Sequence, residues 1–265
     1  MAFPVKAVIF DWAGTMVDFG CVAPVHALVE VFAEEGVQIT EAEARADMGK
    51  AKRDHLAAIL ENPIVAARWQ EKFGSASSEA DIDRIYEKLQ PAMTAAAAKA
   101  SELIPGAAEC FAELVKLGVR IGSGSGYTPE MMAAIRESAA SQGYQPEVVI
   151  CSGDTPSGRP APLMTWAALI QLDAWPASHC IKVDDAPVGI AEGRNAGCWT
   201  VGIAASGNEV GLNRADFLAL SEEERQDRVA EAANKLKAEG ADYVINDVSE
   251  LLPVVHEIAG RIASE

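Results

Sequence analysis

The chain has 265 residues, and its 22 Lys and Arg stand against 39 Asp and Glu, a formal net charge of −17. That surplus of acid disfavours nucleic-acid and anionic-membrane partners, since both call for basic surface to meet phosphate. A hydrophobic fraction of 49% and a charged fraction of 23% exclude wholesale disorder. The length suits one large domain, or a main domain with a smaller companion.

No run approaches the roughly 18 consecutive apolar residues of a membrane span. The N-terminal stretch stops at Asp11 and lacks the apolar region and cleavage site of a secretory signal. The five cysteines, Cys21, Cys110, Cys151, Cys180 and Cys198, are odd in number and include no CxxC pair. They predict neither a disulfide framework nor a zinc cluster, and a reduced, cytoplasmic setting fits them best.

Ala7-Val8-Ile9-Phe10 is a short apolar run ending in Asp11 and a glycine-containing loop, the pattern of a buried parallel strand with a functional loop at its carboxyl end. From about residue 24 to 103 the pattern is helical. A first helix ends at Gly36, a capping box at Thr40–Glu43 opens a second, and three further stretches have helical spacing. After Pro105-Gly106, helices alternate with strands at VRIGS, EVVIC, HCIKVDD, CWTVGIA and ADYVIN, and a terminal helix follows. Alternation of this kind predicts βαβ units and a parallel sheet. The expected fold is α/β: a doubly wound, Rossmann-like core of residues 1–20 and 104–265, with an all-helical cap of residues 21–103 inserted after the first strand.

Ligands of open α/β sheets bind beyond the carboxyl ends of the strands, and four candidate segments fall there. Asp11 follows the first strand directly, where a nucleophile or metal ligand belongs, although a capping aspartate reads the same way in isolation. Gly122 to Thr128, with Ser125 and Gly126, is a small-residue turn in which backbone N–H groups can approach an anion, although a plain tight turn reads the same way. Arg159 precedes a rigid proline, as a phosphate clamp requires, although a solvated surface arginine has the same local sequence. Asp184 and Asp185 are adjacent acids suited to a hard cation such as Mg2+, or to capping the next helix.

The order of these segments resembles the haloacid dehalogenase-like superfamily, whose members carry an aspartate nucleophile, a Ser or Thr, a Lys or Arg, and an acidic pair. Most members have a second aspartate two residues after the nucleophile, as acid for the leaving group. This chain has Ala13 there. Within the helical stretch, Met48, Lys52 and His55 are spaced to share one helical face, where a desolvated lysine would become nucleophilic; a solvated surface lysine has the same spacing.

The strings IFDWAGTMVDFGCVAP, MGKAKRDH, GSGSGYT, GRPAP and EGRNAGCWTVG resemble the phosphonoacetaldehyde hydrolase family, which has the same alanine and a cap lysine that forms a Schiff base. The resemblance implies cleavage of a carbon–phosphorus bond through a Lys52 imine and an Asp11 aspartyl-phosphate. It also implies Mg2+ on Asp11, the Ala13 carbonyl and Asp185, and phosphoryl binding by Ser125, Gly126 and Arg159. Met48, His55, Cys21 and Tyr127 are expected at the aldehyde end, with His55 as proton shuttle; Cys21 reads equally as a small buried hydrophobe. A homodimer through the cap is implied as well, with the helix near residues 24–36 offering an apolar face. The alternatives are a phosphate monoesterase or phosphomutase of the same fold, and a non-catalytic phosphometabolite binder.

Overall fold

Residues 3–264 are described by a computed structural model. Strand β1 (Ala7–Phe10) is apolar and buried along its whole length, because it lies at the centre of the sheet with both faces covered. The other strands are β2 (Arg120–Gly124), β3 (Val148–Ile150), β4 (Cys180–Asp184), β5 (Trp199–Ile203) and β6 (Tyr243–Ile245). All six pair in parallel, in the order β3-β2-β1-β4-β5-β6. The order reverses between β1 and β4, the switch point at which doubly wound sheets open a crevice. Phe10 pairs with both Ser123 and Val183, so the residues that follow, Asp11, Gly124 and Asp184, emerge level with one another.

Five helices lie between β1 and the next core helix: α1 (Val22–Glu34), α2 (Glu41–Arg45), α3 (Lys52–Glu61), α4 (Pro63–Phe73) and α5 (Glu79–Lys99). Their boundaries follow local chemistry. Thr40 and Glu43 form a capping box, as do Ser78 and Asp81, and Gly36 takes a left-handed conformation past the end of α1. The apolar residues of α1, among them Val25, Leu28, Val31 and Phe32, are buried, and the helix packs along α5. The apolar face expected of α1 is therefore spent inside the molecule. Helix α5 also packs on α7 (Pro129–Ser141), which joins the helical segment to the sheet layer.

The remaining helices are α6 (Ala107–Lys116), α8 (Leu163–Gln171), α9 (Pro187–Ala196), α10 (Arg214–Ala219), α11 (Glu222–Ala238) and α12 (Leu251–Ile262). Sequence periodicity anticipates all of these except α10, whose six residues are too few for a helical period and which Asn213 caps. Among the described residues no helix is long and apolar enough to cross a membrane. All five cysteines are free and buried.

Candidate active site

The site lies at the carboxyl ends of β1, β2 and β4, where a cavity of about 350 Å³, including its mouth, is roofed by the turn between α2 and α3. Asp11, Ala13, Cys21, Met48, Lys52, Ser125, Gly126, Tyr127, Arg159 and Asp185 line it. Of the sequence-derived candidates, His55 and Asp184 are the two that do not line it. His55 is fully buried in α3 and does not line the cavity. The shared helical face expected of Met48, Lys52 and His55 assumed one continuous helix. In fact α3 begins at Lys52, and Met48 lies in the preceding turn. Met48 still reaches Lys52, with Sδ 3.7 Å from Nζ, while His55 falls a turn deeper.

Lys52 is 4% exposed, and its Nζ lies 4.9 Å from the centre of the Tyr127 ring. Burial, assisted by the nearby Arg159 charge, lowers its pKa against the opposing pull of Asp11 and Asp185. Burial pushes the Cys21 thiol and the Tyr127 phenol well above their ordinary values, so both stay neutral. Cys21 takes a left-handed conformation at the start of α1. Asp18 holds the same corner by accepting from the backbone N–H groups of Val22 (3.2 Å) and Ala23 (3.0 Å).

On the floor, Arg159 Nη2 donates to Asp11 Oδ1 at 2.8 Å and to the Gly124 carbonyl at 3.1 Å. Ser125 is fixed by its backbone N–H to the Ile150 carbonyl, and its Oγ accepts from Tyr127 N at 3.1 Å. Asp185 Oδ2 accepts from Asn208 N at 2.7 Å, and a side chain at Gly14 would collide with the same carboxylate. Asp184 is committed elsewhere: Lys182 Nζ stands 3.0 Å and Arg159 Nη2 3.4 Å from Oδ2, and Ala186 N donates to Oδ1 at 3.1 Å.

Carboxylate oxygens of Asp11, Asp184 and Asp185 lie within 4.8 Å of one another, all buried. Burial pushes Asp11 and Asp185 up, most strongly Asp185, which also feels Asp11 and Asp184. Burial opposes the charge on Asp184 too, but Arg159 and Lys182 overcome it and hold that pKa down. With Glu192, four buried carboxylates face two paired cations, Arg159 and Lys182, so ionising all four leaves two negative charges for a bound cation to neutralise. All the donors are hard oxygens. A divalent cation such as Mg2+ fits both the charge and the donor set.

Lys182, Glu192 and Asn208 escaped the sequence reading. Lys182 sits inside an apolar strand and Glu192 inside a helix, and nothing local marks their side chains as turned toward Arg159. The informative signal was a lysine within a strand buried on both faces.

Comparison with known proteins places this geometry in a class. A family model described as haloacid dehalogenase-like hydrolase matches residues 5–197. Phosphonoacetaldehyde hydrolase of Paraburkholderia phytofirmans is 50% identical over 259 residues, 98% of this chain and 97% of the relative. That of Bacillus cereus is 38% identical, covering 96% of each chain. The crystal structure of a phosphonoacetaldehyde hydrolase-like protein from Oleispira antarctica superimposes with a TM-score of 0.97 at 44% identity, covering 99% of this chain and 95% of that one. A β-phosphoglucomutase from Clostridium difficile, 17% identical with a TM-score of 0.70, shares the fold. The chain belongs to the haloacid dehalogenase-like hydrolases and, within them, to the phosphonoacetaldehyde hydrolase family.

Proposed function

We propose that the protein hydrolyses phosphonoacetaldehyde to acetaldehyde and phosphate. The observation that carries this reading is the buried Lys52 amine on the wall of the cavity that also holds Asp11, with Ala13 where a leaving-group acid would otherwise stand. A phosphate ester leaves as an alkoxide and needs a proton from such an acid. A carbon leaving group needs an electron sink instead, and an imine supplies one.

In this reading, residues 21–103 form a cap that brings Lys52 over the core. Neutral Lys52, favoured by burial, adds to the aldehyde carbon and loses water to give the imine. Asp11 then attacks phosphorus in line. Its Oδ–P bond forms as the C–P bond breaks, and the bonding pair passes into the protonated imine, cancelling its positive charge to leave a neutral enamine on Lys52. Protonation at carbon and hydrolysis release acetaldehyde and restore the lysine. Water attacks the aspartyl-phosphate and releases phosphate. Arg159, Ser125 and the backbone at Gly126 hold the phosphoryl oxygens, while Met48, Tyr127 and Cys21 enclose the aldehyde. His55 is assigned no contact with the substrate, because it lies off the cavity wall.

Mg2+ would be held by Asp11, Asp185 and the Ala13 carbonyl, and when bound it supplies charge neutralisation at the phosphoryl oxygens. Asp184, already paired with Lys182 and Arg159, supports the site from behind. The reading includes a homodimer through the helical segment, where Ile64 on α4 is an exposed apolar residue.

The test is a turnover assay on phosphonoacetaldehyde beside a panel of phosphate esters. Equimolar acetaldehyde and phosphate, with negligible release from the esters, supports the reading. Preferential ester hydrolysis replaces it with a phosphate monoesterase.

A further inference from the structure

Behind the candidate site lies a closed ring of four charged side chains. Arg159 Nε donates to Glu192 Oε2 at 2.9 Å. Lys182 Nζ stands 3.4 Å from that same oxygen and 3.0 Å from Asp184 Oδ2. Asp184 Oδ2 in turn stands 3.4 Å from Arg159 Nη2, closing the circuit. Glu192 is held from its other side by the backbone N–H of Thr165, which donates to Oε1 at 3.1 Å. Glu192, Lys182 and Asp184 are fully buried.

The helix that delivers Glu192 is shaped for this ring. On α9, Gly189 and Gly193 are one turn apart. A side chain at Gly189 would run into the Asp184 carboxylate, and one at Gly193 into the stem of Lys182. The two glycines let α9 lie directly on β4 and bring Glu192 within reach of both cations. The string GIAEG, residues 189–193, thus encodes an approach between helix and strand that the ring requires.

A buried ion pair is expensive to desolvate, and apolar residues of similar volume often serve stability equally well. Stability therefore gives little reason for Lys182 and Glu192. Orientation gives a better one. Arg159 turns Nη2 toward Asp11 and the cavity, and the long guanidinium side chain needs its rear edge fixed if the front is to meet a phosphoryl oxygen reproducibly. We propose that Glu192 and Lys182 are positioning residues: Glu192 fixes the Nε edge of Arg159, and Lys182 locks Glu192 and Asp184 at their separation. The inference rests on the reading of Arg159 as the phosphoryl clamp.

Calorimetric titration of the full-length protein with inorganic phosphate, in saturating Mg2+, reads the phosphoryl end. Borohydride trapping of acetaldehyde on Lys52 reads the aldehyde end. Glu192→Gln should weaken phosphate binding roughly ten- to a hundredfold, as expected when a charge-assisted bond to the guanidinium is lost, while trapping stays within about twofold of wild type. Should Glu192→Gln misfold by orphaning Lys182, the double variant Glu192→Gln/Lys182→Met removes both charges together, and it should fold yet show the same split. Phosphate affinity within twofold of wild type in a folded variant overturns the proposal, as does equal loss at both ends. Wild-type protein that binds no phosphate overturns it as well. Wild-type protein that binds phosphate but does not cleave phosphonoacetaldehyde refutes the proposed function alone, and the positioning role is still scored by affinity.

Discussion

The side-chain nitrogen of Lys52 lies 4.9 Å from the centre of the Tyr127 ring, so the amine is held between the first residue of α3 and the loop after β2, on the cavity wall. The ring face favours the cation, whereas burial lowers the pKa of the amine and favours its neutral form. Borohydride added with acetaldehyde should therefore inactivate the enzyme irreversibly, and borohydride alone should not. Mass spectrometry should find the adduct on Lys52 and not on Lys50, whose ammonium is paired with Asp47. Lys52→Arg keeps the charge but forms no imine, so it should lose nearly all turnover. An active Lys52→Arg variant would end the Schiff-base reading.

Asp11 accepts from Arg159 and is the first residue past β1 on the floor of the cavity. Asp11→Asn keeps the shape but not the nucleophile. Turnover should fall on the order of 10⁴-fold or more, with the circular dichroism spectrum unchanged. Residual activity within tenfold of wild type would assign the nucleophile elsewhere.

The adjacent acids Asp184 and Asp185 should behave differently. Asp185 lines the cavity, whereas Asp184 is tied to Lys182, Arg159 and the Ala186 N–H. Asp185→Asn should raise the Mg2+ concentration needed for half-activity by more than about tenfold, with little change in Tm. Asp184→Asn should chiefly lower Tm, because it leaves Lys182 partly unpaired in the interior. The reverse pattern in Mg2+ titrations and thermal melts would exchange their roles.

Ala13 lines the cavity beside Asp11. If the departing group is an enamine, Ala13→Asp should give no gain in phosphonoacetaldehyde cleavage, and slow hydrolysis of simple phosphate esters should emerge. A several-fold gain in phosphonate cleavage would show that proton delivery had been limiting, against the imine argument.

Much of this arrangement was legible in the sequence because it depends on local order. The apolar run before Asp11, the small residues around Ser125 and the paired acids after HCIKV each mark a strand end, and parallel pairing brings such ends together. What could not be read is set by side-chain direction across elements. Lys182 and Glu192 are 10 positions apart on different elements, and their meeting depends on how closely α9 approaches β4. The helical insert misled for a related reason. Met48 and Lys52 have helical spacing but touch across the end of a turn, so the face assumed to carry His55 toward the cavity does not exist.

The position of His55 has its own consequence. Burial, reinforced by the Lys52 charge, pushes its pKa down from 6.5 to about 3. Between those values the unfolded chain binds a proton that the folded chain refuses, so His55 contributes stability above pH 6.5 that is lost as pH falls. Asp18 acts in the opposite sense. Burial raises its carboxyl from 3.8 to about 6, so its contribution is greatest below pH 3.8 and is lost as pH rises from there through 6. Comparing wild type with His55→Leu cancels the Asp18 effect. Urea unfolding at pH 7.5 and pH 5 should show wild type losing about 2 kcal/mol relative to the variant, from roughly one and a half pH units of differential protonation. A difference between the two proteins that stays constant across that range would mean that folded His55 titrates normally, and that the α3 interior is open to water at this residue.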